Sequence, residues 1–196
     1  EVAGETSFPP PAPERVAAPD RGEGLPPSGA AAAAPDSEAR LVSRALARLH
    51  VDGDGAAALA LLAEHRRRFP AGALQSEARV AEVQALLRLG RRSEALEVLD
   101  RLAVGRLPRG PELAVLRAEL RAEARRCPDA IADFDRCADG ARCRPDAEER
   151  ALYGRASCLG KLGQGAAARA DLERYLARFP RGRFATAAAR ALAGAR

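Results

Sequence analysis

Four cysteines, Cys127, Cys137, Cys143 and Cys158, fall within one 32-residue stretch, and the rest of the chain has none. An even number confined to one region points to disulfide bridges or a metal site. The metal reading fails on spacing. No Cys-x-x-Cys pair occurs, and the two histidines, His50 and His65, lie far upstream. A cysteine nucleophile needs a nearby base, and the same separation removes it. Disulfides, if formed, call for an oxidising compartment. The competing reading is four reduced, buried thiols in a cytosolic protein, since free Cys behaves as a small hydrophobe.

Other chemistry is sparse. There is no phosphate-cradling G-x-x-x-x-G-K-[ST] and no G-x-G-x-x-G after a strand. Gly163-Gln164-Gly165 reads as a joint between helices. Asp52-Gly53-Asp54-Gly55 has a partial calcium-loop pattern, but Ala56 and Ala57 stand where ligands are needed and no Glu closes it, so it reads as a turn. His65 falls on a core position of its helix, and packing suits His50 better than ligation. No enzymatic activity, cofactor, metal or small-molecule substrate is expected.

The elements that carry these residues are helices in a repeat. Ala58, Ala95, Ala130 and Ala168 are spaced by 37, 35 and 38 residues. Five residues before each comes Gly53, Gly90, Arg125 or Gly163. Four residues after each comes Leu62, Leu99, Phe134 or Leu172. A period in the mid-thirties signals a stack of helical hairpins. Asp36-Ser37 offers an N-cap for a first helix with Leu41, Ala45, Leu46 and Leu49 on one face. Further helices are predicted over 56–68, 73–89, 93–104, 111–124, 128–138, 146–162 and 164–178. A longer loop spans 139–145. Phe69-Pro70-x-Gly72 and Phe179-Pro180-x-Gly182 each start 16 residues after their turn glycine and stop a helix, because proline cannot continue one. The hairpins are thus about 37–70, 73–108, 111–138 and 146–180. A helix at 184–194 would cap the last. The fold class is all-α.

Composition fits. Apolar residues make up 47% and aromatics 4%, so the core must be Leu, Ala and Val. Ala has the best helix propensity and permits close helix packing. Net charge is +5, split as −4 over residues 1–40 and +9 over the remainder. The basic charge is arginine, interleaved with acids as in Arg117–Glu119–Arg121–Glu123, which suits a solvated helix face with ion pairs. A clustered basic stripe with stacking aromatics is missing, so nucleic acid is not the expected partner. No apolar run approaches the roughly 18–20 residues that span a membrane. Residues 1–36 hold eight of the 14 prolines and few groups to bury. They are expected to form a disordered, Pro-rich tether, or else an end without a role. The chain starts at Glu1 and contains no methionine, which suggests a processed or excised piece. A removed N-terminal segment could once have tethered it to a membrane.

The small residues at 58, 95, 130 and 168, the turn glycines, the large apolar residues and the closing prolines Pro70, Pro108 and Pro180 resemble the tetratricopeptide repeat family over about residues 37–182. Arg125 departs from the turn glycine, and the third repeat lacks a closing proline until Pro145. The Phe-Pro-x-Gly closure is similar to that of bacterial cell-envelope members, such as outer-membrane assembly lipoproteins, periplasmic coordinators and the repeat domains of myxobacterial anti-sigma-like regulators. The resemblance implies a right-handed superhelical array whose first helices line a concave groove. The groove residues it implies are Arg40, Ser43, His50, Glu77, Gln84, Arg88, Glu112, Glu119, Arg150, Tyr153 and Ser157. Such a mixed groove suits an extended peptide or a partner helix. The repeat frame also implies the pairing Cys127–Cys158, which would staple the third hairpin to the fourth, and Cys137–Cys143, which would pin the long loop. The expected protein is a periplasmic or extracytoplasmic interaction scaffold. A cytosolic adaptor with reduced cysteines and an accessory domain of a larger enzyme are the alternatives.

Overall fold

The computed structural model describes residues 37–138 and 143–194. The expected tether over 1–36 and residues 139–142 of the long loop lie outside the described residues. Within them the chain is all-α, with no strand. The elements are α1 (Glu38–His50), α2 (Gly55–Arg68), α3 (Gln75–Arg88), α4 (Arg92–Asp100), a 3-10 turn (Val104–Arg106), α5 (Gly110–Glu123), α6 (Cys127–Ala138), α7 (Pro145–Lys161), α8 (Gly165–Arg178) and α9 (Ala185–Gly194).

Local chemistry sets most of the helix ends. The Ser37 side chain accepts from the Arg40 N–H at 3.3 Å, and Asp54 accepts from the Ala57 N–H at 2.8 Å, so each satisfies a donor that the first turn leaves open. Proline lies at the start of α5 and α7, where its missing N–H costs nothing. The turns inside the hairpins need left-handed backbone. Gly53, Gly90 and Gly163 have φ of 70°, 72° and 76°. Arg125 takes the same conformation at φ 61° without glycine's freedom.

Consecutive helices pack in pairs, α1 on α2, α3 on α4, α5 on α6 and α7 on α8, and α9 covers α8. The repeated alanines sit at the close approaches. Ala58, Ala95 and Ala130 are fully buried and Ala168 nearly so, with Leu62, Leu99, Phe134 and Leu172 beside them. Phe134 is the largest of these, and its ring lies on Gly154, where a Cβ would collide with it. One core cluster joins hairpins three and four with α9. Others join hairpins one and two, and hairpins two and three.

The second hairpin departs from expectation. Its second helix ends at Asp100, not at 104, and the chain then makes the 3-10 turn. Val104 is buried, and Gly110 presses against the Val104 carbonyl, leaving no room for a side chain. Burial of Val104 therefore turns the backbone in before the helix can continue. As a result α1 lies against α3, and α5 against α7, but α3 and α5 have no comparable contact. The link between them runs through α4 and the 3-10 turn.

Candidate partner-binding cleft

The break between α3 and α5 leaves a cleft of about 250 Å³. Leu46 and His50 of α1 form one side. Ser76, Glu77, Val80, Ala81 and Gln84 of α3 form the floor and second side. Leu107 and Pro108, from the segment that leads into α5, close the third. Leu46, Val80 and Leu107 are each partly exposed, so apolar surface remains accessible here.

The residues implied for the groove divide into two sets. His50, Glu77 and Gln84 line this cleft together. Arg40 and Ser43 are exposed on α1, and Ser157 is exposed on α7. Others are engaged within the protein. Arg88 Nε donates to the Gly53 carbonyl at 3.0 Å, which ties α3 to the first hairpin's turn. Arg150 and Glu119 form a two-pronged ion pair between α7 and α5. Glu112 is half-buried in the first turn of α5. Tyr153 is stacked on Phe184, with ring centroids 4.4 Å apart and planes 4° apart. It thus seats the segment that leads into α9.

A second depression, about 420 Å³, lies between α2, α3 and α4. Its charges neutralise one another. Glu82 accepts from Arg66 at 3.0 Å and from Arg79 at 2.8 Å, and Arg91 is bonded to Glu94. A ligand would have to displace those pairs, which makes the smaller, more apolar cleft the better candidate.

The structure brings the cysteines together as Cys127 with Cys158 and Cys137 with Cys143. Their Cα atoms are 5.1 and 5.4 Å apart, inside the range that a disulfide spans without backbone movement. Cys127, Cys137 and Cys158 are buried, whereas Cys143 is partly exposed.

Sequence reasoning missed the polar ties that hold the hairpins. The Glu38 carboxylate accepts from the N–H groups of Ala73 and Leu74, at 3.0 and 2.9 Å, and contacts His65 Nε2 at 3.0 Å. The fourth hairpin repeats the device. Glu149 accepts from the Arg183 N–H at 2.6 Å and from the Tyr175 hydroxyl at 2.8 Å, and that hydroxyl accepts from the Phe184 N–H at 2.9 Å. Each glutamate fixes the loop after a Phe-Pro-x-Gly closure. Arg117 is bidentate to Asp133 and Arg155 to Asp171, both pairs 16 residues apart and each joining the two helices of one hairpin. The signal available was that shared spacing, which the alanine register would have placed across a hairpin.

No protein-family model matches the sequence, and no curated protein matches it. Among solved structures, the chain is similar to a tetratricopeptide repeat protein from Parabacteroides merdae. Sequence identity is 19% and the TM-score 0.65, over 81% of this chain and 59% of that one. The present chain therefore spans little more than half of that structure. At this identity the likeness is one of fold, and the fold is that of the tetratricopeptide repeat.

Proposed function

We propose that this domain is a non-enzymatic protein-interaction scaffold that receives a peptide or helix in the cleft between α1 and α3. The observation that carries the reading is the accessible apolar surface of Leu46, Val80 and Leu107, set among the polar groups of His50, Glu77 and Gln84. At about 250 Å³ it is smaller than the roughly 300–1,000 Å³ typical of sites for drug-sized ligands, and it suits single side chains of a larger partner. Apolar anchors with a polar rim are how peptide-binding grooves divide affinity from orientation.

The same reading places the domain outside the cytoplasm, in a bacterial cell envelope, as part of an assembly or membrane-associated regulatory protein. The paired cysteines support it, because structural disulfides persist in oxidising compartments. A photo-crosslinking residue installed at position 84 in the native cell tests the cleft, with position 173 on α8 as the control. Protein adducts at 84 and not at 173 are expected. Adducts at neither, or at 173 alone, overturn the assignment. Intact mass of the natively sourced protein, with and without reductant, tests the compartment. A gain of about 4 Da corresponds to two bridges, and four free thiols would move the domain to the cytosol.

A further inference from the structure

Glu77 is one of three helical carboxylates, with Glu112 and Glu173, that no cation holds among the described residues. Most acids on the helices of this arginine-rich domain are held by a cation. Glu82 is held by Arg66 and Arg79, Glu119 by Arg150, and Glu123 by Arg92. Among the described residues Glu77 has neither an ion pair nor a hydrogen bond, and it is exposed. It also lines the cleft, one helical turn from Val80. An unneutralised carboxylate beside apolar surface is a half-made site. The apolar wall lowers the local dielectric and strengthens whatever charge pairs with the carboxylate.

We propose that the cleft selects a partner segment that presents an aliphatic side chain with a Lys or Arg beside it. The aliphatic group would rest on Leu46, Val80 and Leu107, and the cation would pair with Glu77. This rests on the proposed function above and names the chemistry of its ligand. The cation belongs on the α3 side, because the opposite wall, Leu107–Pro108, is flanked by the exposed Arg106 and Arg109. The chain's own N-terminal segment is a poor occupant. Residues 1–36 carry six acids against two arginines, so most of their charge would be repelled by Glu77.

The test is panning of a random dodecapeptide phage library on the immobilised, oxidised full chain. Affinities of the enriched peptides are then measured by fluorescence anisotropy at low and high salt. The variants are Glu77→Gln, Glu77→Lys and Val80→Arg, each checked for an unchanged circular dichroism spectrum and melting midpoint. Enriched peptides should carry Leu, Ile or Val next to Lys or Arg, and should weaken as salt is raised. Glu77→Gln should weaken them about threefold, as a partly exposed ion pair does. Glu77→Lys should cost more than tenfold through like-charge repulsion. Peptides lost on Val80→Arg but neutral or acidic, or indifferent to Glu77→Lys, would overturn the charge selection and leave the cleft as the docking site. If no enriched peptide is lost on Val80→Arg, the cleft itself fails, and the proposed function with it.

Discussion

Tyr175 donates its hydroxyl hydrogen to Glu149 at 2.8 Å while its oxygen accepts from the Phe184 N–H at 2.9 Å. One buried phenol thus joins α7, α8 and the entry to α9. The first hairpin uses His65 and Glu38 at the matching place, seven residues after the repeat alanine and at the start of the first helix. The Phe-Pro-x-Gly motif ends the helix, and the glutamate fixes where the chain goes next. Tyr175→Phe keeps the ring packing and removes both bonds. It should destabilise the fold by about 1–3 kcal/mol, the cost of leaving a part-buried donor and acceptor unpaired. Urea unfolding of the oxidised protein measures this. A change below a few tenths of a kcal/mol would mean that the aromatic cluster alone seats α9.

The two locks give opposite pH limbs. Burial, and the bond to the Glu149 carboxylate, push the Tyr175 phenol up to about 12 from an ordinary 10. The unfolded chain then loses this proton first, so the stabilisation is complete below pH 10 and falls between pH 10 and 12. The Leu74 N–H, with help from His65 and the Ala73 N–H, holds the Glu38 carboxyl below its ordinary 4.5 against the opposing effect of burial. Its contribution is therefore present above pH 4.5 and is lost as pH falls through the lower folded value. Tyr175→Phe should flatten the alkaline limb, and Glu38→Gln the acid limb. Denaturation midpoints across pH 3–12 separate them, and unchanged limbs in the two variants would refute the assignment.

Among the described residues, Arg125 holds the turn inside a hairpin in left-handed backbone without being glycine, and Arg109, ahead of α5, is the other arginine with a positive φ. The Arg125 side chain is exposed and has no partner among the described residues. Arg125→Gly relieves a strain of about 1–2 kcal/mol and returns about 0.5–1 kcal/mol through the flexibility of the unfolded chain. A net gain of about 0.5–1 kcal/mol is expected from these two terms. Gly90→Ala is the mirror experiment. A Cβ there meets nothing within 4 Å, so any loss comes from its φ of 72° alone. Paired urea titrations showing both variants neutral would remove backbone strain as a factor in these turns.

The hairpin stack was legible because the sequence repeats small and large residues at places where only one packing fits. Ala58 and Leu62 recur as Ala95 and Leu99, and the turn glycines mark where the helices reverse. The cysteines could be placed because the repeat frame puts Cys127 and Cys158 at one edge. The polar ties were not legible in the same way. Glu38 bonds to Leu74 and Arg92 to Glu123 across different elements, and charged residues are so common here that no single one stands out. The early end of α4 depends on Val104 finding a buried place against α5, a tertiary effect that no local pattern carries. The cleft is a consequence of that same turn, so it too was hidden, although three of its lining residues could be named.

Asp133 concentrates more polar bonding than any other buried acid described here. It is 3% exposed and accepts from Arg117 at 2.7 and 2.8 Å and from Arg121 at 2.8 Å. Asp133→Ala would leave Arg117 facing the core with only backbone carbonyls, so a loss of about 3–5 kcal/mol is expected. Arg92→Ala removes an exposed pair to Glu123 and should cost under about 1 kcal/mol. Thermal melts of the two variants side by side decide whether burial, and not pair count, governs these arginines. Similar losses in both would say that it does not.

The two bridges should differ in effect and in order of opening. Closing a loop of 31 residues, Cys127–Cys158 restricts the unfolded chain more than the 6-residue Cys137–Cys143 does. The chain-entropy relation gives about 3.7 kcal/mol for the first and about 2.2 for the second. The long bridge also crosses from the third hairpin to the fourth, next to the strained turn at Arg125, so its loss falls where the backbone is least content. Access runs the other way. Both sulfurs of the long bridge are buried, whereas Cys143 is partly exposed. A mild reductant should therefore open Cys137–Cys143 first, with a small drop in melting temperature. Cys127–Cys158 should open only on local unfolding, with the larger drop. Time-resolved alkylation and peptide mapping give the order. Simultaneous loss of both bridges would mean that hairpins three and four open as one unit, and that exposure of a single sulfur does not set the sequence of events.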